Sequence, residues 1–271
     1  MPAKLITTLL VFLFFSCKNK EKTESMEIVE AAKPPKTIMA LFAHPDDETT
    51  IGPVLAKYAS LSDVHLVVAT DGRYGVTDHS GFPAGDSLVA VRKEETKCAC
   101  EKLGINPPHF LEAKDGLGLN GNHNFYVEVK TLKERIQEKM TELQPDVILT
   151  FGPDGDTGHP DHRMVGLLAT EILLREGWAD TIDLYHFGWT KDQTQKFPED
   201  WGLGHVHPDH LNTTISFSPE EEEKAFSSLR CHKSQFAEPD MVKWIQAERN
   251  DTTNVLYFRK FSLDNATLTG F

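Results

Sequence analysis

Apolar residues run almost without a break over 37–43 and again over 146–151. Unbroken runs of this length, unlike alternating ones, mark strands covered on both faces of a sheet. A second strand is predicted over 65–70, ending in the turn Asp71-Gly72, and a short third over 109–113. Between them the spacing predicts helices over 49–60, 87–103, 125–143 and 162–175. Gly104 closes the second of these and Pro145 stops the chain just beyond the third. Strand and helix in strict alternation give a doubly wound, mostly parallel α/β sheet of Rossmann-like type, with helices on both faces. Right-handed crossovers place the strands in the order 3-2-1-4-5, so the first and fourth are neighbours where the winding reverses. Ligands of such sheets bind outside the carboxyl ends of the strands at that point. After Gly177 the pattern changes to a C-terminal extension, with strands over 181–189, 211–217 and 255–261. A helix over 219–233 opens this extension's middle part with an acidic first turn, Glu220 to Glu223.

The first 36 residues do not belong to this fold. Lys4 and the apolar stretch 5–15 read as a signal segment, too short to span a bilayer comfortably. Ser16-Cys17 follows at once, a small residue before a cysteine, so 1–16 resembles a bacterial lipoprotein signal with Cys17 as the acylated residue. Residues 17–36 then form a flexible polar tether, which cannot bury enough apolar surface to fold. The expected location is the bacterial cell envelope, on the membrane through a lipid at Cys17.

The chain has 271 residues and a formal net charge of -13, which argues against nucleic acid as a partner. Beyond Cys17 there are three cysteines, Cys98, Cys100 and Cys231. An odd number does not suggest a disulfide framework. Cys98 and Cys100 lie two apart on a helix, project to different faces, and are expected to be packing residues.

The candidate chemistry sits where the strand order puts a crevice. His44-Pro45-Asp46-Asp47-Glu48 packs an imidazole and three carboxylates into five residues at the end of the first strand. Carboxylates that close repel one another unless a cation neutralises them. Imidazole plus carboxylate suits a catalytic zinc, which takes three protein ligands and keeps one position open. A further ligand is expected from Gly158-His159-Pro160-Asp161-His162, directly after the neighbouring fourth strand. Either segment alone reads as a capped turn. Together, on adjacent strand ends, they point to a metal.

Ala43-His44-Pro45-Asp46-Asp47-Glu48 and the later His159-Pro160-Asp161-His162 resemble the hallmarks of the LmbE-like, PIG-L-like N-deacetylases. The resemblance runs through Arg92, Glu95, Asp115-Gly116 and His232-Lys233-Ser234-Gln235, over roughly residues 37–240. It implies one catalytic domain over 37–271 that removes an acyl group, acetyl by resemblance, from an N-acylated amino sugar or related glycoconjugate. It further implies His44, Asp47 and His162 as Zn2+ ligands, Asp46 as general base and His159 as the group facing the oxyanion. Arg92 and Asp115 match positions that contact the sugar, and Glu48 and Asp161 are expected to orient the ligands. Some relatives carry a tyrosine where this chain has Thr157. His207-Pro208-Asp209-His210 repeats the second motif in a different context, before a strand, and is expected on a rim or surface loop. The competing reading is a non-catalytic envelope lipoprotein that captures metal or sugar, which would have no use for Asp46 or His159.

Overall fold

The computed structural model describes residues 36–117 and 122–263, so the signal segment 1–16, Cys17 and the tether to residue 35 lie outside them. Seven strands form a single sheet: β1 (Thr37–Phe42), β2 (Asp63–Thr70), β3 (His109–Ala113), β4 (Val147–Phe151), β5 (Asp183–Phe187), β6 (Thr213–Ser216) and β7 (Val255–Phe261). Their order is β3-β2-β1-β4-β5-β7-β6. The first five pair in parallel, in the 3-2-1-4-5 order expected. The C-terminal extension adds β7 and then β6 antiparallel to the β5 edge.

Helices α1 (Gly52–Tyr58), α2 (Asp86–Leu103), α3 (Asn122–Leu143), α4 (Pro160–Glu176), the short α5 (Lys191–Thr194), α6 (Pro219–Leu229) and α7 (Glu238–Arg249) flank the sheet. The two-residue period of β1 divides the core. Ile38, Ala40 and Phe42 face a cluster with Val54, Phe226 and Ile245, whereas Met39, Leu41 and Ala43 face Leu132, Ile136, Val165 and Ile172. Full burial of each large aliphatic side chain stabilises the fold by about 1.5–3 kcal/mol. Gly166 lets α4 lie directly on β4, because a Cβ there would collide with the Phe151 carbonyl oxygen.

Three local features differ from the sequence expectation. The segment after β1 first forms a 3-10 turn, Asp47–Ile51, and only then α1. Thr49 and Thr50 turn their hydroxyls back onto the carbonyls of Asp46 and Asp47, which tightens that turn. The helix expected over 219–233 ends at Leu229, and α7 is a separate helix, placed by the buried stripe Met241, Trp244 and Ile245.

The third difference corrects the reading of the cysteines. Cys98 on α2 is joined to Cys231, just beyond α6, by a disulfide, while Cys100 is a buried free thiol. Two-residue spacing on a helix sends Cys98 and Cys100 to different sides. Only the packing of α6 along α2 brings in the partner, 133 residues away. Peptide mapping without reductant is expected to recover the Cys98 and Cys231 peptides joined. Cys231→Ser should lower unfolding stability in urea by about 2–4 kcal/mol, and no change would mean the bond does not form.

Candidate metal and catalytic site

The carboxyl ends of β1 and β4 meet at the switch point. His44 follows β1, and His162 lies in the first turn of α4, which β4 feeds through a glycine-rich loop. His44 Nδ1 stands 3.2 Å from His162 Nε2, and Asp47 Oδ1 is 3.1 Å from that same Nε2. All three residues are buried. The other edge of each group is already committed. Asp47 Oδ2 accepts the backbone N–H of Ala43 at 3.0 Å and of His44 at 2.8 Å. His44 Nε2 faces Asp115 Oδ1 at 3.1 Å, and His162 Nδ1 faces the Gly155 carbonyl at 3.1 Å. Those acceptors place the ring protons on the outer nitrogens. Two nitrogen lone pairs and a carboxylate oxygen then point at one another. Ligands about 2.0–2.1 Å from a tetrahedral zinc would lie about 3.3 Å apart, close to the spacing here. The residues therefore fit a metal ion.

Two other triads bring ligand atoms within 4.8 Å: His44 with His159 and His162, and His44 with Asp115 and Asp161. The carboxylates of the second triad are held by backbone. Asp115 accepts the Tyr74 N–H at 3.0 Å, and Asp161 accepts those of Gly116 at 2.9 Å and Leu117 at 3.1 Å. They are better placed to orient His44 than to bind an ion. Against burial, the hydrogen bond from His44, with that from the Tyr74 N–H, holds the Asp115 carboxyl down at about 2.

Asp46 sits beside this cluster with φ at +122°, a conformation unfavourable for a residue with a Cβ. Several bonds impose it. Its N–H donates to Glu48 Oε2 at 3.1 Å, and its carbonyl accepts from Thr49 N at 3.0 Å and Thr49 Oγ1 at 2.7 Å. Arg92, buried on α2, donates to Asp46 Oδ1 at 3.0 Å, to the Pro45 carbonyl at 2.5 Å and to the Gly72 carbonyl at 2.8 Å. A side chain on Gly72 would occupy the space of that guanidinium. Arg92 thus lies in the cavity wall with its donors turned to the protein and to Asp46. Burial pushes the Asp46 carboxyl up to about 6, with Arg92 opposing and Asp47 adding to the rise.

Glu48 is fully buried and meets His232 Nε2 through Oε1 at 2.5 Å, across 184 positions of sequence. The same C-terminal segment is tied to α2, where Glu95 accepts the Ser234 N–H at 2.7 Å and its hydroxyl at 2.6 Å. Gln235 donates to the Gly75 carbonyl at 3.0 Å. His159 caps α4, its Nδ1 accepting the Asp161 N–H at 3.2 Å, which leaves Nε2–H for the cavity. Burial, then the neighbouring His44 and His162, lower the His159 pKa.

His44, Asp46, Asp47, Arg92, Asp115, His159, Asp161 and His162 all line one cavity of about 470 Å³. Glu48 lies behind it. The second His-Pro-Asp-His, at 207–210, is exposed, and its Asp209 and His210 line a separate surface pocket with Asn212, Arg259 and Lys260. His232, Tyr74 and Gln235 have no role that follows from the sequence alone. The motif at 232–235 marks His232 and Gln235 but not Tyr74, and it does not reveal that His232 meets Glu48.

The fold and this cluster define a doubly wound α/β protein with a His/Asp cluster at its switch point whose spacing fits a metal ion. Residues 39–173 match the PIG-L family, described as GlcNAc-PI de-N-acetylase. The 1D-myo-inositol 2-acetamido-2-deoxy-alpha-D-glucopyranoside deacetylase of Corynebacterium glutamicum is 30% identical over 221 residues, covering 73% of this chain and 74% of the relative. The N,N'-diacetylchitobiose deacetylase of Pyrococcus horikoshii shares the fold at a TM-score of 0.58 and 21% identity, covering 86% of this chain and 87% of its own. So does the 4-carboxy-2-hydroxymuconate hydratase of Pseudomonas putida, with TM-score 0.58 and 17% identity over 86% of this chain and 100% of its own. The chain belongs to the PIG-L family and is a hydrolase acting on linear amides.

His232→Ala would leave the Glu48 carboxylate buried without its partner, at an expected loss of about 3–5 kcal/mol in stability. His232→Gln places an amide N–H where the ring Nε2 lies and should recover a substantial part. Urea unfolding of the two variants checks this, and His232→Ala within about 1 kcal/mol of wild type would show that the pair does not hold the site together.

Proposed function

We propose that this protein hydrolyses the amide of an N-acylated amino sugar or a related glycoconjugate, with Zn2+ held by His44, Asp47 and His162. The carrying observation is the placement of Asp46 beside the three converging donors, in one cavity with the free edge of His159. Zinc there would supply Lewis acidity, making water a usable nucleophile near neutral pH and drawing electrons from an amide carbonyl. Asp46 Oδ1 is engaged by Arg92, so Oδ2 is the oxygen that takes a proton from the attacking water. It returns that proton to the departing amine. His159 Nε2–H donates to the oxygen that gains negative charge as water adds. Asp115 and Asp161 keep His44 in the tautomer that turns Nδ1 inward. The polar wall of the cavity, with Asp115, Tyr74 and Gln235, suits the hydroxyls of a sugar.

Upstream of the fold, we propose that Cys17 carries a lipid and that the tether holds the domain at the cell envelope. What supports this is the sequence: Lys4, the apolar stretch 5–15 and Ser16-Cys17. Among the described residues, no helix is long and apolar enough to cross a membrane. Cys17→Ala should move the protein out of the membrane fraction. A wild-type chain that fractionates without lipid by mass spectrometry would refute the anchor.

For the catalytic assignment, His162→Ala and Asp47→Ala are expected to lose bound zinc, and His210→Ala to keep it, by elemental analysis. Asp46→Asn should keep zinc while kcat falls about 10²–10⁴-fold, scored as amine released from N-acyl glucosamines. Wild-type turnover in a zinc-replete Asp46→Asn protein would remove Asp46 as the base. An Asp47→Ala protein with full zinc would remove the ligand set.

A further inference from the structure

Asp46 and Asp47 line not one cavity but two. Behind them, away from Arg92 and Asp115, lies a second cavity of about 280 Å³ with a wall of Trp201, Leu203, Phe236 and Trp244. The wall is preassembled. The Trp244 ring lies 5.7 Å from that of Trp201, 5.8 Å from Phe236 and 5.4 Å from the buried Phe197. Asp156 ties it to the catalytic loop, accepting the Trp189 N–H at 2.7 Å on its side chain and the Gly204 N–H at 2.8 Å on its carbonyl.

The polar groups of this second cavity are largely committed elsewhere. The hydroxyls of Thr49 and Thr50 donate to backbone carbonyls at 2.7 and 2.8 Å. Asp156 Oδ1 takes the Trp189 N–H, and Asp240 pairs with Lys243 at 2.8 Å. Apart from Asp46 and Asp47 at the shared end and the short Thr157, what remains facing the space is Trp201, Leu203, Phe236 and Trp244, so that wall suits an apolar guest. Continuity with Asp46 and Asp47 says which part of a substrate that guest is. A linear amide sends two arms from the carbonyl carbon, the amine on one side and the acyl chain on the other. With the reacting carbon between the compartments, the hydroxylated amine arm matches the polar one and the acyl arm the aromatic one.

We propose that the cavity bounded by Trp201, Leu203, Phe236 and Trp244 is an acyl-chain pocket, and that this enzyme prefers N-acyl groups longer than acetyl. The proposal rests on the amide-hydrolase reading above and specifies its substrate. An acetyl methyl would leave most of the space unfilled. A cavity of about 150 Å³ is enough for benzene, so this one has room for a chain of roughly six to eight carbons. Thr157, on the cavity's rim, has too short a side chain to fill it. Each methylene moved from water into such a wall favours binding by about fourfold.

The test uses the zinc-loaded full chain with N-acetyl-, N-butyryl-, N-hexanoyl- and N-octanoylglucosamine, scored by glucosamine released. Expected is a kcat/KM for the hexanoyl compound about tenfold or more above the acetyl one. Acetyl hydrolysed as fast as hexanoyl, or faster, overturns the pocket while leaving the amide-hydrolase reading intact. No release from any of the four overturns that reading and the pocket with it. Leu203→Trp narrows the space and should pull the hexanoyl-to-acetyl ratio towards one, and an unchanged ratio counts against the assignment. Calorimetry on the wild-type protein gives a readout independent of turnover and of any variant's folding. Free hexanoate should bind about tenfold or more tightly than acetate, and equal affinities overturn the proposal.

Discussion

Two imidazole nitrogens and a carboxylate are held together in a buried space, His162 Nε2 lying 3.2 Å from His44 Nδ1 and 3.1 Å from Asp47 Oδ1. Left to themselves these groups would separate or take up protons, because burial removes the water that would screen their repulsion. They converge because each is gripped from behind. Backbone N–H groups at the end of β1 hold Asp47, Asp115 holds His44, and the Gly155 carbonyl holds His162. Phe151, the last residue of β4, stacks on His162 at 4.3 Å and blocks its retreat into the core. Much of the surrounding architecture keeps these groups converged, in an arrangement that fits a cation.

Asp46 shows the same principle applied to backbone. A non-glycine residue at φ +122° persists only where its surroundings over-determine it. Glu48 secures its N–H, Thr49 its carbonyl and Arg92 its side chain. Glu48 is in turn secured by His232, and the His232 segment is fastened to α2 by Glu95 and by the Cys98–Cys231 disulfide. The C-terminal part of the chain therefore reaches back to position a residue of the first loop. That connection gives the motif at 232–235 a structural meaning that does not require it to touch substrate.

A fold shared by deacetylases and a hydratase does not decide chemistry, so function has to be argued from the site. Here the site is asymmetric. Its two carboxylates Asp46 and Asp47 stand between a polar compartment and an aromatic one, and the two are built by different parts of the chain. The polar side comes from the doubly wound core and the loops at its strand ends. Much of the aromatic side comes from the connection between β5 and β6 and from α7, both in the C-terminal extension. Substrate choice can thus vary through the extension while the His44–Asp47–His162 cluster stays on the sheet.

The sheet order, its two covered faces and the meeting of His44 with His162 were all legible in the chain. Each depends on short-range pattern: unbroken apolar runs, helix periodicity, and motifs placed at strand ends whose neighbours follow from crossover handedness. The grouping of His44, Asp46, Asp47, His159 and His162 follows from those local facts alone. The disulfide, the Glu48–His232 pair and the aromatic wall were not legible in this way. They join residues far apart in sequence, and whether such residues meet depends on how α6 and α7 pack against the sheet. Arg92 makes the same point. The family resemblance implies a sugar contact for it, and only the packing of α2 over Gly72 turns its donors onto Pro45 and Asp46. Local spacing determines which faces a residue can present, but the approach of distant elements decides what each face meets.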